Sequence, residues 1–267
     1  MKTLDQTTHP PIARGRHAEL YLLEPARVLK LFRPGFSRQA IEAELRHAAA
    51  AHAAGIPTPR PEGIIESNGR SGIVFERCEG PTLFHMIAER AAPPARLAQI
   101  FFGLQRAIHA AAPAGFPDIK EQLAAKIAHA RRASPALRQR ALEVLARLPA
   151  GAAACHGDFH PANVIITDRG PVVVDWVDAG RADAALDAAR SLLLLRFARA
   201  GKIAEELRAA FVEAYAGCLR EAWSGRMQAI ERWQLPLAVA RLAEAVEESE
   251  CEKLLQLAST TLSASPS

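Results

Sequence analysis

Aromatic residues make up only 6% of this 267-residue chain. A nucleic-acid-binding surface wants a dense basic stripe with rings for bases to stack on, and neither is present. Lys and Arg number 33 against 29 Asp and Glu, a formal charge of +4. Arg131, Arg132, Arg138 and Arg140 stand among alanines at helical spacing, the pattern of a solvated helix face. Only four cysteines occur, Cys78, Cys155, Cys218 and Cys251. They are far apart and form no C-x-x-C pair, which excludes a zinc knuckle and a disulfide framework. The longest apolar burst, Leu192-Leu193-Leu194-Leu195, is far too short to span a bilayer. Residues 1–11 are polar and carry prolines, unlike a signal peptide. No repeat of fixed period is present. A cytoplasmic protein with neither a membrane nor a nucleic-acid partner is expected.

What is abundant is apolar mass, 49% of residues, enough for two lobes around a cleft. Residues 12–80 read as a small α+β lobe. The runs 19–23 and 28–32, parted by Glu24-Pro25-Ala26, signal a hairpin. Ser37 is placed to cap a helix over 38–54, with Ile41, Leu45, Ala48 and Ala49 on one face. Two strands follow, 63–66 and 72–76, turning at Ser67-Asn68-Gly69. Gly80-Pro81 breaks the chain and marks the expected lobe boundary. Residues 81–258 turn helical and Ala-rich, with helices over 82–91, 95–111, 121–148 (interrupted at Ser134-Pro135), 184–200, 204–222 and 227–257. One β-hairpin intrudes, 164–167 and 172–174. The tails 1–11 and 259–267 are expected to be flexible.

The chemistry concentrates around that hairpin. Phosphoryl transfer needs a carboxylate to orient the acceptor hydroxyl, oxygen ligands for Mg²⁺, and a cation on the phosphates. Asp158 and Asn163 lie on a loop entering the first strand, and Asp175 ends the second. Folding the hairpin back brings all three together.

The segment His156-Gly157-Asp158-Phe159-His160-Pro161-Ala162-Asn163 resembles the catalytic loop of the aminoglycoside phosphotransferase and choline kinase family. It keeps the Asp-to-Asn spacing of the protein-kinase loop. Val172-Val173-Val174-Asp175-Trp176-Val177-Asp178 resembles the metal-binding strand end of that family. The resemblance implies a bilobal protein-kinase-like α+β fold, ATP and Mg²⁺ as cofactors, and a small-molecule hydroxyl acceptor. It implies Asp158 as catalytic base, Asn163 and Asp175 as Mg²⁺ ligands, and His156 and Asp187 as braces of the loop. Lys30, charged in the middle of an apolar strand, would reach the ATP phosphates. It would pair with Glu42 or Glu44, and Glu44 better matches the family helix. Glu76 and Cys78 would meet adenine through backbone groups. The chain departs from kinases in lacking G-x-G-x-x-G, with Gly15 the sole candidate for the loop over the phosphates. It also lacks Phe-Gly after Asp175 and a downstream Ala-Pro-Glu, which argues against a protein kinase.

Other readings attach to the same residues. His156, Asp158 and His160 alternate as zinc ligands of a hydrolase would. No histidine follows His160, and only Cys218 and Cys251 remain to complete such a site. A catalytically silent ATP-binding module of the same fold is the other alternative. Trp176 should pack beneath the site, Cys155 should be buried, and His109 should be a hydrogen-bonded core residue. For a cationic acceptor the acidic candidates are Asp178, Asp183 and the run Glu244, Glu247, Glu248, Glu250 and Glu252, which reads equally as a solvated helix face.

Overall fold

The computed structural model describes residues 10–198, 203–244 and 247–264. The first strands are β1 (Ala13–Arg14), β2 (Ala18–Glu24) and β3 (Arg27–Phe32), followed by helix α1 (Arg38–Ala53) and strands β4 (Pro61–Ser67) and β5 (Arg70–Glu76). They form an antiparallel sheet in the order β1-β2-β3-β5-β4. The Ser37 side chain accepts the Ala40 N–H and caps α1. Alternation along β3 sorts its side chains. Leu29 and Leu31 pack with Tyr21 and Val74 on one face. Phe32 packs with Ile41 of α1 on the other. Lys30 shares the face of Phe32, so it points toward α1.

After Gly80 come α2 (Leu83–Ala88), α3 (Pro94–Ala110), α4 (Ile119–His129) and α5 (Pro135–Arg147). The segment that carries the 156–163 loop follows, with β6 (Ala153–Cys155), a 3₁₀ turn at Pro161–Asn163, β7 (Val164–Thr167), β8 (Gly170–Val173) and β9 (Gly180–Ala182). The chain ends in α6 (Ala184–Phe197), α7 (Glu205–Ala222), α8 (Met227–Arg232), α9 (Gln234–Arg241) and α10 (Glu248–Ala264). The architecture is a sheet lobe with one helix followed by a larger helical lobe. One core runs through the second, with Phe101, Phe159, Trp176, Tyr215 and Trp233 fully buried. Gly80 joins the lobes at φ +144°, and a Cβ there would sit 2.0 Å from the Ile166 carbonyl oxygen. Only glycine lets the connection lie this close to β7.

Several boundaries differ from expectation. The helix expected over 227–257 is three helices: α8 ends at Arg232 and α9 at Arg241, and residues 245–246 of that expectation lie outside the described residues. Residues 199–200 of the helix expected to 200 also lie outside them. Of the flexible tails, 1–9 and 265–267 lie outside the described residues, while 259–264 continue α10. Arg131 and Arg132 occupy the turn between α4 and α5, so they share no helix face with Arg138 and Arg140. The short β1, β6 and β9 carry too few residues to show a period-2 signal.

Candidate active site

The loop from His156 to Asn163 is held from below. His156 is fully buried. Its Nε2 lies 3.0 Å from the Val174 carbonyl, an acceptor only, and its Nδ1 accepts the Asp158 N–H at 3.3 Å. These partners place the ring hydrogen on Nε2. Both nitrogens are spent, so His156, Asp158 and His160 do not converge on one ion, and the zinc-hydrolase arrangement is not formed. Gly157 takes φ +77°, and a Cβ there would meet the Asp178 carbonyl oxygen at 2.1 Å. Its N–H donates to Asp187 Oδ1 at 2.8 Å, while Asp187 Oδ2 meets His109 Nε2 at 3.0 Å. Burial pushes the Asp187 carboxyl up, but His109 and the Gly157 amide outweigh it and hold it below the ordinary carboxylate value. Ser191 on α6 donates to the Phe159 carbonyl at 2.8 Å. Asp187 and His109 thus brace the loop, and Cys155 is buried beside them.

Asp158 points its carboxylate at Arg190 and His160. Oδ1 is 3.4 Å from Arg190 Nη2, and Oδ2 is 3.5 Å from His160 Nε2. Burial pushes this carboxyl up, and the His160 hydrogen bond and the Arg190 charge overcome that and hold it well below its usual range. Asn163 donates Nδ2 to the Asp158 carbonyl at 3.0 Å. A carbonyl accepts only, so the amide is oriented with Oδ1 as the end left for a cation.

Asp175 follows β8 and adopts φ +73°, a left-handed conformation that costs a non-glycine residue roughly 1–3 kcal/mol. Its surroundings impose it. The Val174 N–H bonds to the Asn163 carbonyl at 2.9 Å. Trp176 Nε1 donates to Thr58 Oγ1 at 2.9 Å, and Thr58 Oγ1 donates to the Val173 carbonyl at 2.7 Å. The Trp176 carbonyl faces His47 Nδ1 of α1 at 3.1 Å. Lys30 Nζ then reaches Asp175 Oδ1 at 3.0 Å and also bonds Glu44 Oε1. Burial lowers the Lys30 ammonium, but Asp175 and Glu44 outweigh it and hold its pKa above the ordinary value. Glu44 is 1% exposed, and burial, offset in part by Lys30, lifts its carboxyl to about 7. Glu42 bonds Arg38 on the surface instead, so the choice between the two glutamates falls on Glu44.

These residues line a cavity of about 770 Å³ that includes Gly15, Lys30, Glu44, Cys78, Asn163 and Asp175. Gly15 forms the turn between β1 and β2, closed by its N–H on the Ala18 carbonyl at 2.8 Å. Glu76 also lines the cavity, yet its N–H is spent on the Arg60 carbonyl at 2.9 Å and cannot donate to a base. A second cavity of about 580 Å³ lies on the other side of the catalytic loop, reaching Asp158 and His160 and sharing Ala162 with the first.

Residues that sequence reasoning passed over complete this side. Arg190, 4% exposed, also binds Glu244 at 2.8 Å. Arg241 binds Glu244 and meets Glu250 at 2.8 Å. Lys126 binds Asp178 at 2.8 Å. An arginine inside the apolar run of α6 was the available signal, since a buried charge needs a partner. Asp183 caps α6 through the Ala185 N–H at 2.9 Å and so serves the helix.

A model of the phosphotransferase enzyme family matches residues 8–248. No curated protein matches the chain. Among solved structures, the chain is similar to an aminoglycoside-3'-phosphotransferase of type VIII, at 22% identity over 88% of this chain and 92% of that one, TM-score 0.61. It is similar to a choline/ethanolamine kinase family protein from Mesorhizobium loti, at 16% identity over 97% and 88%, TM-score 0.60. It is also similar to an aminoglycoside phosphotransferase from Streptomyces rimosus in complex with ADP and streptomycin, at 19% identity over 90% and 94%, TM-score 0.58. Likeness at these identities establishes a protein-kinase-like fold.

Proposed function

The chain belongs to the phosphotransferase enzyme family, and from that premise we propose that it moves the γ-phosphoryl group of ATP to a hydroxyl of a small molecule, with Asp158 orienting the acceptor. Residues 12–80 are the nucleotide lobe in this reading, and residues 81–258 supply the catalytic loop and the acceptor site. The observation that carries it is the placement of Asp158, Asn163, Asp175 and Lys30 around two cavities that meet at Ala162. One cavity has the shape and the cation for a nucleotide, and the other opens at Asp158.

Asn163 Oδ1 and the Asp175 carboxylate, 44% exposed toward the cleft, are hard oxygen donors that suit Mg²⁺. Mg²⁺ held there supplies neutralisation of the phosphate charge. Lys30 steadies the phosphates, and Cys78 offers its backbone to adenine. Asp158 accepts a hydrogen bond from the acceptor hydroxyl. The acceptor oxygen forms a bond to the γ-phosphorus as the bond from that phosphorus to the β–γ bridging oxygen breaks, and ADP leaves with the electron pair. A carboxylate held so firmly ionised is a weak base. Its main contribution is alignment, and the hydroxyl proton departs late, by way of Asp158 to solvent.

Asp158→Asn is expected to reduce turnover by about 10²–10⁴ while leaving ADP affinity largely unchanged. A coupled ADP-release assay across hydroxyl acceptors, with this variant as the blank, reads both. Turnover in the variant near that of the parent would sink the assignment. Nucleotide binding with no Asp158-dependent transfer to any acceptor would favour the silent-module alternative.

A further inference from the structure

We propose that the acceptor carries its hydroxyl on a largely apolar framework without positive charge, so that the second cavity disfavours polyamine sugars. The inference rests on the phosphoryl-transfer reading, which assigns that cavity to the acceptor. Its volume, about 580 Å³, suits a small organic molecule. Its apolar wall is built by Phe84 and Ile87 from α2, Leu194 and Leu195 from α6, and Phe211 from α7. An ammonium group leaving water for such a wall must find a carboxylate, because an unpaired buried charge is heavily penalised.

The chain has carboxylates in this region, and the fold spends them. Glu244 accepts from Arg190 at 2.8 Å, bonds Arg241 and lies 3.5 Å from Lys126. Glu250, buried, accepts from Arg241 Nε at 2.8 Å. Glu248 pairs on the surface with Arg132 at 3.1 Å. Glu247 lines the cavity and is engaged as well. Asp158 is bound by Arg190 and His160 and is reserved for the reacting hydroxyl. The same wall presents Arg16, Arg208 and Arg241. The segments 199–202 and 245–246, which adjoin the lining residues in sequence, contain no acidic residue. A polycation entering here meets arginines, and carboxylates that already have partners.

The test is calorimetric titration of the full chain with matched probes. These are phenyl- and alkyl-substituted amino alcohols, their N-acetyl amides, and an aminoglycoside. At least one amide should bind, about tenfold or more tighter than its parent amine, and the aminoglycoside should bind worse than either. Arg241→Gln should uncover Glu250 and narrow the gap, with a melting curve to verify folding. Equal or tighter binding of the amines, preference for the aminoglycoside, or failure of every amide to bind would each overturn the inference. Asp158-dependent transfer to a cationic acceptor would overturn it while leaving phosphoryl transfer intact. Preference for the amides without any transfer would count against the transfer reading alone.

Discussion

Lys30 and Asp175 stand 145 residues apart in the chain, and Lys30 Nζ meets Asp175 Oδ1 at 3.0 Å in the lining of the larger cavity. One comes from the sheet lobe and one from the strand end of the helical lobe. The same ammonium holds Glu44, whose second oxygen has no hydrogen-bond partner among the described residues. Lys30→Met should weaken ADP binding by at least about tenfold and lower stability, since one carboxylate is then left buried without its cation. Lys30→Met combined with Glu44→Gln should recover much of the stability and none of the affinity. Nucleotide titration and thermal melting of the three proteins separate the two effects. Recovery of affinity in the double variant would mean that Lys30 acts only through packing.

Thr58, between α1 and β4, supports the residues on both sides of Asp175. Its hydroxyl donates to the Val173 carbonyl and receives the Trp176 indole N–H. Thr58→Val keeps the shape and removes both bonds, leaving a buried donor and acceptor unmatched. The expected loss is about 1–3 kcal/mol in urea unfolding. Nucleotide affinity should fall with it, because the left-handed turn at Asp175 depends on what flanks it. Unchanged unfolding would show that solvent replaces the hydroxyl.

The local signals in the sequence were enough for most elements. Ser37 and Ser134 are helix caps, Asn68-Gly69 turns a hairpin, and the β-branched runs do form a hairpin, although its second strand is Gly170–Val173 and not 172–174. Lys30 was legible because a charge in an apolar strand needs a reason. Longer-range pairing left fewer marks. Nothing local to Arg190 or Glu244 shows that they meet, 54 positions apart, beside Asp158. The glutamates after Leu242 looked like one helical face, but the chain turns between α9 and α10 and sends Glu244 and Glu250 inward to arginines. Periodicity reports which face an element buries, and ion pairs between elements carry no period.

Asp187 links the catalytic loop to α3 and offers a pH signature. Its folded carboxyl lies below the ordinary value, so it binds fewer protons folded than unfolded near that value. The stability it contributes is present in full above about pH 4 and is lost as pH falls through the folded pKa. Asp187→Ala should cost about 3–5 kcal/mol at neutral pH. The gap to the parent should be the same at about pH 7 and pH 5, and should narrow only toward pH 3. Urea midpoints at the three values check this. A gap that already shrinks between pH 7 and pH 5 would mean that burial wins and the carboxyl titrates high.

Arg190 is shared by Asp158 and Glu244, at 3.4 and 2.8 Å. It contacts neither Lys30 nor Asp175, the groups proposed to meet the nucleotide phosphates. Its loss should therefore act on alignment of the acceptor and not on nucleotide binding. Arg190→Met removes the cation that Asp158 shares with Glu244, while Arg241 and Lys126 still hold Glu244, and Asp158 should swing away from its present direction. Misplacement of a reacting group by about 1 Å can cost on the order of 10²-fold in rate. Turnover should fall by that order while the KM for ATP changes by no more than about twofold. A single nitrogen, Nη2, makes both contacts; Arg190→Lys restores the charge as a strongly hydrated ammonium in place of the planar guanidinium, so it should recover only part of the rate. Steady-state kinetics with both substrates varied distinguish this from general destabilisation, in which the KM for ATP and turnover would worsen together and lysine would rescue neither.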